Sequence, residues 1–263
     1  MNTKPDHFAD SKLPRITAAF WVMKISATTL GETAGDLLSM TMNVGYALSS
    51  LILISGFLVS LIAQLATKRY HPVLYWTVIL TTSTAGTTMS DFMDRTLQLG
   101  YAKGTALLVT ILVITFVTWR FSTGTLSVDH VKTRKAEIFY WVAILFSNTL
   151  GTALGDFLAD SSGLGFAGGA ALIGGLLVVV LALAIFTKLS RVALFWIAFV
   201  LTRPFGATLG DVMTKGKDKG GLALGTMGSS LVLASILIAF VVWSAIKESR
   251  ARREAARPGS IRA

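Results

Sequence analysis

The stretch FWVMKISATTLGETAGD, Phe20 to Asp36, returns three more times along the chain, as YWTVILTTSTAGTTMSD (Tyr75–Asp91), YWVAILFSNTLGTALGD (Tyr140–Asp156) and FWIAFVLTRPFGATLGD (Phe195–Asp211). The four copies align without a gap. Trp21, Trp76, Trp141 and Trp196 each precede an aspartate by 15 residues, namely Asp36, Asp91, Asp156 and Asp211. Gly31, Gly86, Gly151 and Gly206 stand five residues before that aspartate, and Gly45, Gly100, Gly165 and Gly220 stand nine after it. A repeat of this period is one supersecondary unit used again. After each second glycine comes a plainer apolar run, at about 45–67, 100–119, 165–187 and 220–246, long enough to cross a bilayer. Each unit therefore reads as two spanning helices: A with the motif, then B, mostly hydrocarbon.

The expected fold is all-α: a polytopic integral membrane protein of eight transmembrane helices. Its four helical-hairpin repeats return to the same side, so they run parallel around a pseudo-symmetry axis along the membrane normal. The aspartates are 55, 65 and 55 residues apart, so the longer middle spacer divides the chain. The expected organisation is an N-terminal cytoplasmic segment 1–14, a first half 15–120 with two repeats, a cytoplasmic linker 121–136, a second half 137–246 with two more, and a basic cytoplasmic tail 247–263.

Composition agrees with that class. Hydrophobic residues make up 53% of the 263 and charged ones only 14%. The polar first 14 residues contain no apolar core, so no cleavable secretory signal is expected. Without cysteine, disulfides and thiolate metal sites are excluded. The histidines His7, His71 and His130 all lie outside the apolar runs, which argues against imidazole sites within the membrane. The net charge of +10 gathers at helix ends and in the tail, as in proteins that touch anionic headgroups, and no nucleic-acid partner is expected. Of the Lys and Arg residues, 17 fall on the side holding both termini and 5 on the other. Both termini are therefore expected in the cytoplasm, and the protein in a bacterial inner membrane. The six tryptophans are expected at that cytoplasmic interface as an aromatic belt.

Helix A carries the chemistry. Counting from tryptophan at 1.5 Å per residue, the motif glycine lies about 15 Å deep and the aspartate about 22 Å. Residues three and four apart share a helix face. Stepping back from each aspartate thus gives a stripe: Thr28, Thr29, Glu32 and Thr33, then Ser83, Thr84, Thr87 and Thr88, then Asn148, Thr149 and Thr152, then Arg203 and Thr208. Two positions break the repeat. Glu32 matches Thr87, Thr152 and Ala207, whereas Arg203 matches Thr28, Ser83 and Asn148. Charges inside a membrane tend to pair, so Glu32 is expected to meet Arg203. Pro204 is expected to kink its helix. Lys24, about 5 Å inside the boundary, can snorkel to headgroups.

If the A helices face a common axis, Asp36, Asp91, Asp156 and Asp211 gather beneath a lining of hydroxyls. Like charges brought so close share protons or a cation. With Glu32, and carbonyls freed at glycine breaks, they form a hard-oxygen set suited to Mn²⁺, Mg²⁺, Ca²⁺ or Na⁺. The candidate cation site is therefore Glu32, Asp36, Asp91, Asp156 and Asp211, with Thr28, Thr87, Asn148 and Thr152 lining it and Arg203 and Lys24 as charge partners. Asp94, Arg95, Asp160 and the KGKDKG segment beyond the motif read as solvated loop charges.

The repeated W-x9-G-x3-[GS]-D hairpin resembles the bacterial membrane-anchored proteins built from a tandem repeat of unknown function, over about residues 15–246. That resemblance implies the architecture and no activity. GETAGD in the first copy also resembles cation/proton exchangers and manganese exporters. The function expected is ion-coupled, proton-driven secondary transport of a cation, with export of a divalent metal such as manganese or of a small organic cation foremost. Two alternatives stand beside it. One is a small-anion carrier using Arg203 and Lys24; the other is a non-transporting scaffold in which small and hydroxyl residues pack helices and the aspartates cap them. The glycine-rich runs lack the G-x4-G-K-[ST] arrangement that cradles phosphate. An enzyme is not expected, because no histidine or cysteine lies in a span and no nucleophile has a base beside it. The expected partners are the lipid bilayer and a small cation or metal as cargo, with a homo-oligomer left open and no resident cofactor.

Overall fold

The structure is a computed structural model that describes residues 12–217 and 220–255, with side chains as far as Arg250. Most of the N-terminal segment, including His7, and most of the basic tail lie outside the described residues. Eight long helices follow one another: α1 Ala18–Asp36, α2 Tyr46–Ala66, α3 Pro72–Asp91, α4 Tyr101–Thr123, α5 Arg134–Asp156, α6 Gly165–Phe186, α7 Arg191–Thr214 and α8 Thr226–Ala255. A short 3₁₀ turn, Val128–His130, lies in the linker, and no strand occurs among the described residues. Among the described residues, six helices are long and apolar enough to cross a membrane: α2, α4, α5, α6, α7 and α8. The other two, α1 and α3, have suitable length but carry the densest polar stripes.

The four motif helices close into a ring. α1 packs on α3, α3 on α5, α5 on α7, and α7 back on α1. The motif glycines explain why. A Cβ added at Gly31 would strike Ser83, at Gly86 the backbone of Asn148, at Gly151 Arg203, and at Gly206 Thr28. Each glycine thus receives the residue three places before the glycine of the next copy, and the fourth copy returns to the first. Small residues let membrane helices approach this closely. The expectation that these glycines break helix A is corrected: all four lie within unbroken α-helix, so they free no carbonyls. α7 likewise continues as α-helix through Pro204.

The second motif glycine has a different task. Gly45, Gly100, Gly165 and Gly220 all have positive φ, between 68° and 80°, a region that side-chain-bearing residues enter at a cost. In the first three copies, the helix passes without a stop from aspartate into one π-helical turn, Leu37–Thr41, Phe92–Thr96 and Phe157–Ser161. The chain then turns through the glycine into helix B. The fourth copy has no such turn. Its α7 ends at Thr214, and a folded-back loop joins it to α8, with Leu222 N–H donating to the Val212 carbonyl and Leu224 N–H to Met213.

The pairing of A and B corrects a simple hairpin picture. Helix B packs chiefly on the motif helix of the following copy: α2 on α3, α4 on α5, α6 on α7, and α8 on α1. Ser230 of α8 donates a hydrogen bond to Thr33 of α1 at 2.8 Å, part of this closure of the C-terminal helix on the N-terminal one. The outer B helices expose long apolar side chains such as Leu51, Val59, Ile62, Ile114, Val178, Leu181 and Ile238. An apolar exterior of this extent marks a surface that meets something other than water.

One end of the ring is closed by aromatic side chains. Phe20, Tyr75, Trp76, Tyr140, Trp141, Trp196 and Phe199 are buried there in a chain of edge and tilted contacts. The Tyr75 and Tyr140 hydroxyls hydrogen-bond at 2.6 Å. Trp76, Trp119, Trp141 and Trp196 are therefore interior residues rather than members of an outward-facing belt, and only Trp243 is more than half exposed, at 51%.

Gly86→Ala places a methyl group against backbone with no flexible side chain to yield. Its expected effect is a loss of about 1–3 kcal/mol of stability. Gly56→Ala, with nothing within 4 Å, is expected to be neutral or to stabilise its helix by about 0.5–1 kcal/mol. Unfolding of the two purified variants in the same micelle checks the contrast.

Candidate functional site

The motif helices present their polar stripes to one another in levels, one from each helix. At the Thr28 level stand Ser83, Asn148 and Arg203; at the Glu32 level, Thr87, Thr152 and Ala207. All eight side chains are buried. Arg203 Nη1 lies 3.1 Å from Glu32 Oε2, the pair expected from the broken repeat. Nη2 donates to Thr87 Oγ1 and to Thr152 Oγ1 at 2.5 and 2.8 Å, and to the Ser83 carbonyl at 3.3 Å. Thr152 then donates to Glu32 Oε2 at 3.0 Å, and Thr87 lies 3.3 Å from the same oxygen. One acid, one base and two hydroxyls from four helices thus close a single network. Sharing the hydrogen bonds this way is what makes a buried ion pair tolerable. Thr28 turns away from it, its hydroxyl directed at carbonyls of Lys24, Ile25 and Thr202.

One turn further on lie the four aspartates, all buried. They are held by two cations from beyond the motif. Arg95 reaches Asp91 with Nε at 3.0 Å and Asp156 with Nη2 at 3.1 Å. Lys215 reaches Asp36 at 3.1 Å and Asp211 at 3.2 Å. Both cations occupy the same register, four residues after the aspartate of their own copy, and each bridges to the aspartate of the next copy. Copies one and three have Met40 and Asp160 there, so the cations alternate around the ring. This corrects the reading of Arg95 and Lys215 as solvated loop charges. The signal was present in the i, i+4 spacing of acid and base, which brings such pairs together on a helix. Asp94 is buried as well, its carboxylate seated over Gly104, whereas Asp160 is exposed as expected. Asp218 and Lys219 lie outside the described residues.

The two cations are not equivalent. The Arg95 guanidinium also donates to the Tyr46 hydroxyl at 3.2 Å and lies 5.8 Å from the Tyr46 and Tyr101 ring centres. A planar fork held by two acids and two rings is a fixed brace. Lys215 is a single ammonium on a flexible stem. Burial works against the charge of each, and their two aspartates more than offset it, so both are held above the ordinary value for their type.

On the Lys215 side, Glu32, Asp36 and Asp211 each bring one oxygen within 4.8 Å of the others. This all-oxygen set matches hard cations. Asp91 and Asp156 stand with Arg95 and outside that trio. The carboxylates of Asp36, Asp91 and Asp156 make no helix-capping bond, which removes the capping alternative for them. Lys24 also differs from expectation. It does not reach headgroups but is 0% exposed, its ammonium 4.1 Å from the Phe199 ring centre. Asn148 is buried without a side-chain partner, apart from the Arg203 network. Five carboxylates and four bases, counting Lys24, thus lie along the inside of the ring.

Removing one partner of the central pair leaves an uncompensated charge, and Glu32→Gln or Arg203→Met is expected to cost about 3–5 kcal/mol of stability. The double variant is expected to recover much of that loss. A double-mutant cycle by denaturant unfolding measures the coupling, and additive losses would show that the pair acts independently.

No curated protein and no solved structure matches this chain. A family model does, four times over, at residues 19–70, 74–125, 139–190 and 194–249, so that each match takes in one motif helix and the B helix after it. The chain belongs to the family described as Repeat of Unknown Function (DUF347).

Proposed function

We propose that the protein is a proton-coupled secondary transporter that exports a cation, a divalent metal such as manganese or a small organic cation, across a bacterial inner membrane. On this reading all eight helices span, the four repeats surround an axis along the membrane normal, and both termini are cytoplasmic. α1 and α3 cross in spite of their polar stripes because the ring hides those stripes from lipid. The observation that carries the reading is the buried trio Glu32, Asp36 and Asp211 with Lys215 seated on two of its members. Ionisable groups inside membrane spans are rare and mark ion pathways and proton relays.

The geometry supplies a mechanism of exchange. The Lys215 ammonium occupies the aspartate oxygens that a cation would need, so cargo and lysine compete for Asp36 and Asp211. Arrival of cargo releases Lys215 toward the mouth, where its side chain is already 23% exposed. Protonation of the carboxylates displaces the cargo, and Lys215 re-enters as those protons leave toward the opposite side of the membrane. Asp91 and Asp156, braced by Arg95, hold the opposite half of the ring still. Each state keeps the acids neutralised by a cation or a proton, as low-dielectric surroundings require. The anion alternative loses ground because the guanidinium of Arg203 is already engaged by Glu32, Thr87 and Thr152. The scaffold alternative draws on the glycine contacts, which would exist without any cargo.

Reconstituted vesicles distinguish these readings. Asp36→Asn and Asp211→Asn are expected to lower proton-driven Mn²⁺ or tetramethylammonium flux at least tenfold, while Asp160→Asn leaves it unchanged. Flux that survives both core substitutions and fails only in Arg203→Ala supports the anion carrier. A wild-type protein that moves none of these ions, with core variants that lose only stability, supports the scaffold.

A further inference from the structure

The chain ahead of α1 is tied down at the aromatic end of the ring. Lys12 Nζ donates to Glu137 Oε2 at 2.7 Å and to the Leu65 carbonyl at 3.4 Å. Leu13, beside it, is buried in the same apolar cluster as Tyr75, Tyr140 and Trp141. At the other end of this strap Thr17 caps α1, its hydroxyl accepting from the Phe20 N–H. α1 and α5 each pack on both α3 and α7, so they stand at opposite corners of the ring. Lys12 lies six residues before the first residue of α1, yet it reaches the first turn of α5. Six residues span at most about 20 Å, and opposite corners of four packed helices lie about 11–14 Å apart. The strap therefore crosses the end of the ring with little chain to spare.

The acid that holds the strap is another break in the repeat. Glu137 stands where the other copies have Thr17, Pro72 and Val192, and it is buried. Three residues before Tyr140, it lies one turn outside the Tyr75–Tyr140 hydroxyl pair. A buried carboxylate needs a cation, and this one receives it from the strap rather than from a ring helix. A salt bridge between two ring helices would brace them. One between a ring helix and a terminal strap is a fastening that opens without moving any helix. The far end is built alike: Lys215, the first residue after α7, holds Asp36 and Asp211. Each end thus has a buried acid under a single flexible ammonium, and each ammonium is partly exposed.

We propose that the strap 12–17 is the cytoplasmic gate of the transporter, locked by Lys12 on Glu137 and opened when an arriving cation takes the place of the ammonium on that carboxylate. Exchange of one cation for another keeps Glu137 neutralised throughout, so opening leaves no buried charge unpaired. Leu13 then leaves the aromatic cluster with the strap, and the Tyr75–Tyr140 pair becomes the next barrier on the way to Glu32, Asp36 and Asp211. Lys12 is tethered to the mouth, so it returns to Glu137 once the cation has moved on. The gate rests on the transport reading, which places the aromatic end in the cytoplasm and sends cargo inward past it.

The chain contains no cysteine, so an introduced thiol reports alone. In the full chain in bilayers, Leu13→Cys is expected to react slowly with a maleimide, and about tenfold faster when Glu137→Gln frees the strap. Exchange of the pair, Lys12→Glu with Glu137→Lys, is expected to restore the slow rate, which an unfolded protein would not. Equal labelling in all three backgrounds, or a fast rate that the exchange leaves unchanged, overturns the lock whether or not the protein transports. In vesicles, Lys12→Cys with Glu137→Cys, joined by a reducible bis-thiosulfonate linker, is expected to move Mn²⁺ about tenfold more slowly than the same sample after reduction. Equal flux before and after reduction makes the strap a fixed staple and overturns the gate alone. A wild-type protein that moves neither Mn²⁺ nor tetramethylammonium overturns the transport reading and the gate with it.

Discussion

The polar faces of α1, α3, α5 and α7 have no acceptable neighbour in hydrocarbon except one another. Each face carries hydroxyls, a carboxylate and, in α1 and α7, further charged side chains, and exposure of any of them to lipid is costly. Closing four such faces around one line satisfies all of them together, but only if the helices come close enough to share hydrogen bonds. The motif glycines permit that approach, each taking the side chain or backbone of the next copy where a Cβ would strike it. Ring closure, burial of the charges and the apolar exterior of the B helices follow from this one requirement.

Within the ring, the repeat is broken where charge is placed. A strictly fourfold sequence would put four like groups at each level, and four carboxylates with no base would repel one another. The chain avoids this by placing Glu32 in the first copy, Arg203 in the fourth, Arg95 in the second and Lys215 in the fourth. The outcome is a central pair with hydroxyl partners from α3 and α5, and two bridging cations on opposite sides of the aspartate level. One bridge is braced by rings and cannot rearrange without losing several contacts. The other is a single flexible ammonium, so any exchange of cations is easiest on the Glu32, Asp36 and Asp211 side.

The two ends of the ring are built for different tasks. Interlocked rings with one hydroxyl pair close the aromatic end, whereas half-exposed cations cover the acids at the other. The fourth copy differs from the rest at this acidic end, replacing the π-helical turn by a folded-back loop that begins at Lys215 itself. The cation least constrained by neighbours thus sits on the connection that departs furthest from the repeat.

Much of this architecture was legible in the chain, because a gapless motif reports the number of units and a run of apolar residues reports helix length. The glycine and aspartate spacing located the polar face, and two broken positions identified Glu32 with Arg203, since opposite charges have few other places to go in a membrane. Sequence order could not reveal that helix B leaves its own copy and packs on the next, because apolar B surfaces are nearly interchangeable and only the geometry of closure selects among them. Nor could composition separate Arg95 and Lys215 from ordinary loop charges, or Lys24 from a residue that reaches headgroups. Those assignments depend on how far each side chain lies from water once four helices have met, which is a property of the packed ring alone.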